Sequence, residues 1–354
     1  MPEDQPLPPD GGSPILMYSP NFIEWLARVG GSLALTTYQA GRLIFIGRKA
    51  EGTIRAHERY LEHCQGLWTD GIEVWISARS MLWRFVNALR PGETTVAGAV
   101  RKFVPREGRV TGRLDIHDIG VDEARRPIFV NTAYSCLATI SESAAFQPLW
   151  RPRFISALLP EDRCHLNGLA MQAGGRPAFV TAVAKSDVAD GWRDHRRAGG
   201  IVIDVASGEI AATGLSMPHS PRLYGGKLWL LNSGTGEFGF LDPANGRFEP
   251  AVFCPGYARG LAFIDGHALI GLSRPRHGST FEGLLLDERL KEKGAESRCG
   301  VIAVDLASGS IVAWLRFRHT IEELYDVAAL PGITQAEAVG FKGEDIEREI
   351  QAER

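Results

Sequence analysis

The 354-residue chain predicts an all-β fold, and within that class a six-bladed β-propeller. Three observations carry the prediction. Short apolar runs alternate with turn chemistry along most of the length. One five-residue inner-strand pattern recurs six times, the mark of a repeat array. The last repeat also lacks strands, while the N-terminus has a hairpin to spare.

The pattern reads His63-Cys64-Gln65-Gly66-Leu67, His117-Asp118-Ile119-Gly120-Val121, His165-Leu166-Asn167-Gly168-Leu169 and His219-Ser220-Pro221-Arg222-Leu223. It continues as Tyr257-Ala258-Arg259-Gly260-Leu261 and, more weakly, Glu323-Leu324-Tyr325-Asp326-Val327. Subtracting residue numbers, successive first positions lie 54, 48, 54, 38 and 66 residues apart.

Each repeat opens a blade. Blade one takes strands at 65–68, 73–76, 82–86 and 97–104. Blade two takes 119–121, 127–131, 136–140 and 146–150. Blade three takes 167–171, 177–182, 200–205 and 209–213. Blade four takes 221–224, 227–232, 237–241 and 247–253, and blade five 259–264, 267–272, 299–306 and 310–316. The hairpins between third and fourth strands support the register. Asp204-Val205-Ala206-Ser207-Gly208 is nearly repeated as Asp305-Leu306-Ala307-Ser308-Gly309, and the glycines supply the positive φ that tight turns need. Blade six has two C-terminal strands, near 325–329 and 336–341. The spare hairpin, 32–38 and 42–47, is expected to complete it beside 336–341, closing the ring without an exposed edge. Residues 1–13, rich in Pro and Gly, read as a disordered leader. Residues 14–343 read as one propeller domain and 344–354 as a charged tail.

Composition narrows the partners. A net charge of −3 offers no general attraction to nucleic acid or to an anionic membrane. No run approaches the ~20 apolar residues of a membrane helix, and no basic-then-apolar signal opens the chain. Five cysteines form no CxxC and leave one over, which favours a reducing compartment and a cytoplasmic location. Cys64 and Cys164 flank repeat-start histidines, but both read as small buried hydrophobes.

In a four-stranded blade the inner strand begins on the face where the second-to-third loop lies. His63, His117, His165 and His219 should therefore share one mouth of the channel, with Tyr257 and Glu323 completing the ring. Imidazole is the commonest protein metal ligand. The four histidines are the expected ligands of a divalent transition metal, iron first, with zinc, copper or manganese as alternatives. Tyr257, Glu323 and Arg259 are the candidate catalytic residues. Asn131, Asn167, Asn232, Arg222, Arg274 and Trp192 are the candidate substrate contacts, since Arg suits a carboxylate or phosphate. Asp118, Glu161, Asp162 and Asn167 are candidate partners for the far ring nitrogens. The loops 185–199 and 274–298, the latter helical over 284–293, should overhang the same face as lids. Two alternatives stand beside the metal: a metal-free acid–base cluster, and structural histidines bonded to backbone or hydroxyl groups.

The phrases His165-Leu166-Asn167-Gly168-Leu169-Ala170, Met217-Pro218-His219-Ser220-Pro221-Arg222 and Leu231-Asn232-Ser233-Gly234-Thr235-Gly236 resemble an uncharacterised bacterial family, the domain of unknown function 4915. The resemblance covers nearly the whole chain after the leader and implies no known reaction. Asn167-Gly168-Leu169-Ala170 more distantly resembles the inner strand of gluconolactonase-like and strictosidine-synthase-like six-bladed propellers. The lactonases bind a divalent cation through carboxylate and Asn ligands; only Asn167 and Glu323 match here in type. The four-histidine set is similar to the iron site of carotenoid oxygenases, a likeness of site alone. The resulting expectation is a metal-dependent enzyme on a small polar or anionic substrate, by lyase, hydrolase or oxygenase chemistry. The other class is a non-catalytic platform for a small ligand or a protein partner.

Overall fold

Six β-sheets form around one axis in the computed structural model, which describes residues 16–242, 245–274, 283–318, 321–341 and 344–352. The expected leader lies outside the described residues. Blades one to five run in chain order from inner to outer strand. Their inner strands are Cys64–Thr69, Ile116–Val121, Leu166–Met171, Pro218–Tyr224 and Tyr257–Ile264, each paired with the strand that follows it.

Blade six joins the two ends of the chain, but not with the expected division. Only its inner strand, Val327–Pro331, comes from the C-terminal side. Gly31–Thr37, Arg42–Arg48 and Ile54–Tyr60 supply the other three, with Leu33 opposite Ala329 and Ile44 opposite Glu58. The hairpin thus pairs with Val327–Pro331 and not with 336–341, although Arg42–Arg48 packs against the segment leading into Ala336–Ala338. Ala336–Ala338 instead pairs in parallel with Arg101–Val110, adding a fifth strand to blade one. Leu16–Tyr18 does the same for blade five against Ser310–Phe317. Both additions cover an outer edge that would otherwise be open.

A helix over Phe22–Val29 precedes blade six. Phe22, Trp25, Leu26 and Val29 fall at i, i+3, i+4 and i+7, and all four are buried in the core between blades five and six. Gly30, with φ of 62°, ends the helix in the left-handed conformation.

The recurrent fourth-position glycine has a steric cause. Five of the inner strands carry an irregular register within the five-residue pattern. Neighbouring backbones then pass close together. A Cβ on Gly260, at φ 75°, would lie 2.5 Å from the Val327 amide nitrogen; one on Gly168 would lie 2.3 Å from Pro221 Cδ. Neither position has room for a side chain.

Candidate functional site at the channel mouth

Three of the four column histidines gather at one mouth. The His117 and His165 ring centroids lie 4.9 Å apart, nearly perpendicular. His219 is buried across the channel, close enough for its charge to be coupled to both. His63 stands off. Its side chain is 39% exposed, its ring packs at 4.8 Å on Tyr38, and Nε2 is 4.0 Å from Glu62, which pairs with Arg79. A single four-histidine shell is therefore not what the structure presents. Among the described residues no three His, Cys, Asp or Glu side chains close around one point.

Each of the three gathered rings has its Nδ1 fixed to an oxygen. His117 Nδ1 lies 2.9 Å from the Asp115 carbonyl and His219 Nδ1 2.8 Å from the Met217 carbonyl. His165 Nδ1 lies 2.8 Å from Asp162 Oδ2. Carbonyl and carboxylate oxygens only accept, so Nδ1 carries the hydrogen in each ring and Nε2 keeps its lone pair. The backbone explains the anchoring: Asp115, Met217 and Asp162 all sit at positive φ, 55°, 49° and 43°.

His267 calibrates this. It has the same anchor, Nδ1 to the Asp265 carbonyl at 2.6 Å, with Asp265 at φ 44°. Its Nε2 faces Arg28 at 3.5 Å, and its ring meets Trp25 edge-on at 5.8 Å, so it fastens the N-terminal helix. The anchor is thus a device of the fold. What distinguishes the channel is that His219 Nε2 is buried with no hydrogen-bond partner.

Burial sets the protonation states. It pushes His117 down to about 4, aided by the charges of His165 and Arg259 and resisted by Asp115. Burial, then Arg259, lowers His219 well below the ordinary range. Both rings are neutral at pH 7. Burial pushes Asp115 up, but His117, a hydrogen bond from Gln65, His165 and Arg259 outweigh it, and it stays ionised. Tyr257 and Tyr325 are raised by burial and remain phenols.

The other candidate residues divide. Arg259 is buried, 3.8 Å from Glu323, with its guanidinium 4.6 Å from the Tyr325 ring centroid and 5.8 Å from that of Tyr257. Tyr257 approaches His219 at 5.9 Å and Tyr325 approaches His117 at 5.4 Å. Arg259, Glu323 and Tyr257 thus share the mouth with the histidines. Trp192 stacks on His165 at 4.1 Å and donates Nε1 to Asp162 Oδ2 at 2.9 Å. Asn167 accepts from Thr181 Oγ1, leaving its Nδ2 buried and unbonded.

Four expectations are redirected. Arg222 is not open to substrate: it holds Asp118 through two hydrogen bonds of 2.7 and 3.1 Å. Asn131 is fully buried and accepts from the Tyr134 amide, while Asn232 accepts from the Ser216 amide at 2.7 Å; both shape turns. Arg274, half exposed, lies 3.8 Å from Glu322 and does not join the cluster. Of the proposed partners for the ring nitrogens, Asp162 takes that role. Asp118 serves Arg222, and Glu161 serves Arg163.

Sequence reasoning missed Asp115, Gln65 and Tyr325. Gln65 Nε2 reaches Asp115 Oδ1 and the Tyr325 hydroxyl, joining blades one, two and six. Gln65 and Tyr325 occupy the third position of the pattern, as Arg259 does, and that column was the available signal.

Both lids lie over the histidine face where they are described. The first carries a short 3₁₀ turn, Gly191–His195. The second carries the helix Leu285–Glu292, while residues 275–282 fall outside the described residues. Leu284, Leu286 and Leu290 pack with Trp192, Met217 and Tyr257 in one small apolar cluster. The blade three to five side of the mouth is roofed. The side of Tyr38 and His63 is more open.

Fold and geometry together define a six-bladed β-propeller with a polar, histidine-lined site at one end of its channel. The chain belongs to the family described as Domain of unknown function (DUF4915), whose model matches residues 20–339. None of the curated proteins matches it. Among solved structures, a chain of the nidogen/laminin complex has 14% identity and a TM-score of 0.52, covering 86% of this chain and 99% of its own. Virginiamycin B lyase from Staphylococcus aureus has 14% identity over 67% of this chain and 76% of its own, at a TM-score of 0.39. A protein of unknown function from Bacteroides caccae has 11% identity over 85% and 99%, also at 0.39. The first likeness speaks to fold alone; the other two carry no argument.

Proposed function

We propose that the channel mouth is a metal-dependent catalytic site acting on a small polar or anionic substrate, by lyase, hydrolase or oxygenase chemistry. The observation that carries the reading is the buried His219 Nε2, which has no hydrogen-bond partner, beside His117 and His165, with all three rings held through Nδ1. Metal-bound histidines are fixed in this way, by a carboxylate or carbonyl on the far nitrogen. The local charge points the same way. The formal charges of Asp115, Asp162 and Glu323 against those of Arg259 and Arg196 sum to −1. Such a site favours a divalent cation.

Iron is the first candidate metal; zinc, copper and manganese are the alternatives. A bound ion would supply Lewis-acid or redox chemistry. The chain's own groups do the rest. Arg259 offers the positive charge for a carboxylate or phosphate. Glu323 and the Tyr257 hydroxyl are placed to move protons, and Trp192 with the leucines of the second lid excludes water. His63 would join only by turning inward from Tyr38.

A second reading, a metal-free platform that binds a ligand without turnover, is favoured by one observation: the rings as they stand do not close around a common point. Elemental analysis of protein purified from metal-supplemented culture, followed by zinc titration of the chelator-treated protein, separates the two. Stoichiometric metal that His117→Ala removes supports the enzyme. Metal-free protein with no zinc binding at micromolar concentration leaves the platform.

A further inference from the structure

We propose that Asp162 is a positioning residue that latches the lid of residues 185–199 onto His165, so that the ring and the lid hold one another in place. The proposal rests on the segment Glu161–Arg163, just before the inner strand of blade three. Its Asp162 carboxylate accepts from two directions through the same oxygen: His165 Nδ1 at 2.8 Å and the Trp192 indole Nε1 at 2.9 Å. The indole also lies flat on the imidazole, 4.1 Å between centroids and 27° between planes. Two more links tie the same segment to the lid. Arg163 Nη1 donates to Asp187 at 2.6 Å, and the Asp190 amide donates to the Glu161 carbonyl at 2.9 Å. Asp162 takes up this position at φ 43°, an unfavourable conformation for a non-glycine residue.

The consequence is mutual. Lifting the lid withdraws the indole from the face of His165 and one of the two donors from its carboxylate. Turning His165 removes the surface on which Trp192 rests. Trp192 is 2% exposed, so the lid cannot open without exposing that ring to water. His267 has a similar Nδ1 anchor but packs on Trp25 and Arg28, away from the lid.

The lid carries its own reporter. Arg193 and Arg197 are exposed, with Arg196 between them, and all are trypsin targets. Cleavage at these bonds samples the open lid when reclosing is fast. Without any metal, Asp162→Asn and His165→Ala should each raise cleavage after Arg193–Arg197 about tenfold over the parent, as expected for loss of a charge-assisted hydrogen bond. His267→Ala should leave the rate unchanged. Trp192→Phe keeps an aromatic plane but no donor, and should fall between. Thermal unfolding read alongside checks that each variant is folded; if Asp162→Asn is not, Trp192→Phe decides alone. Equal cleavage in parent, Trp192→Phe and His165→Ala would overturn the latch, and so would a His267→Ala lid that opens as readily as His165→Ala. Repeating the series with zinc keeps the two ideas apart. Absence of zinc binding would count against the metal reading, and the metal-free rates would still decide the latch.

Discussion

The channel holds two polar tiers with opposite character. In one, Arg222 clasps Asp118, and every carboxylate oxygen is used. Asp118 Oδ1 accepts from the Ile119 amide and Oδ2 from the Leu169 amide, besides Arg222. Asp326 accepts from the Leu67 and Val327 amides, with Arg222 at 3.9 Å. These bonds join blades one, two, three, four and six. In the other tier, at the mouth, the rings are equally buried, but their Nε2 atoms have no such assignments. Buried polar groups cost stability unless they are bonded. The first tier is therefore fully bonded, while the second keeps a buried polar atom, His219 Nε2, without a partner.

The difference can be broken at several points. The largest effect on stability should come from Arg222→Ala, which leaves two buried carboxylates uncompensated and should cost about 3–5 kcal/mol in urea unfolding. His219→Ala should cost only about 1–2 kcal/mol. If the two variants unfold alike, the tiers do not differ in the way argued. Metal binding should reverse the ranking. His117→Ala or His219→Ala should weaken zinc binding beyond the roughly 10–100-fold lost when a supporting partner is removed. His267→Ala, sharing the anchor but not the channel, should leave it unchanged.

The tiers also answer pH in opposite senses. His117 titrates at about 4 when folded and near 6.5 when unfolded, so its contribution is intact above 6.5 and is lost as pH falls toward 4. The ceiling is roughly 3 kcal/mol. Burial and the Asp118 charge raise Asp326 to about 7. Between about 4 and 7 the folded state holds a proton that the unfolded chain releases, so this term weakens folding as pH rises. Urea unfolding at pH 5 and pH 8 should show His117→Asn losing less stability in acid than the parent, and Asp326→Asn losing less on going alkaline. The smallest effect should be Arg28→Ala, which deprives His267 Nε2 of its neighbour for about 1 kcal/mol or less.

The five complete blades were legible because their strands alternate and their turns carry glycine at fixed places. Blade six was read only in part. Ile54–Tyr60 is an outer strand, half-buried along its whole length, so no apolar alternation announces it. The helix Phe22–Val29 had its full i, i+3, i+4, i+7 signature and was available to be read. At the mouth, the histidine column gave the place but not the geometry. The anchoring of each ring goes with backbone angles at Asp115, Met217 and Asp162, and composition does not encode those. Arg222 and Asn232 look like ligand contacts by residue type; their partners are backbone amides and a carboxylate from distant repeats.

The shared construction of blade six bears on how the chain is made. Gly31–Thr37, Arg42–Arg48 and Ile54–Tyr60 leave the ribosome early, yet their inner partner begins at Val327, 267 residues after Tyr60. At about 5–20 residues per second, that strand is synthesised roughly 15–50 s later. Throughout that interval the apolar edge Leu33-Ala34-Leu35 has no neighbour, although five blades can already have formed behind it. Ring closure therefore comes late in synthesis and is strongly non-local. The earliest strands need protection from other nascent chains until it happens.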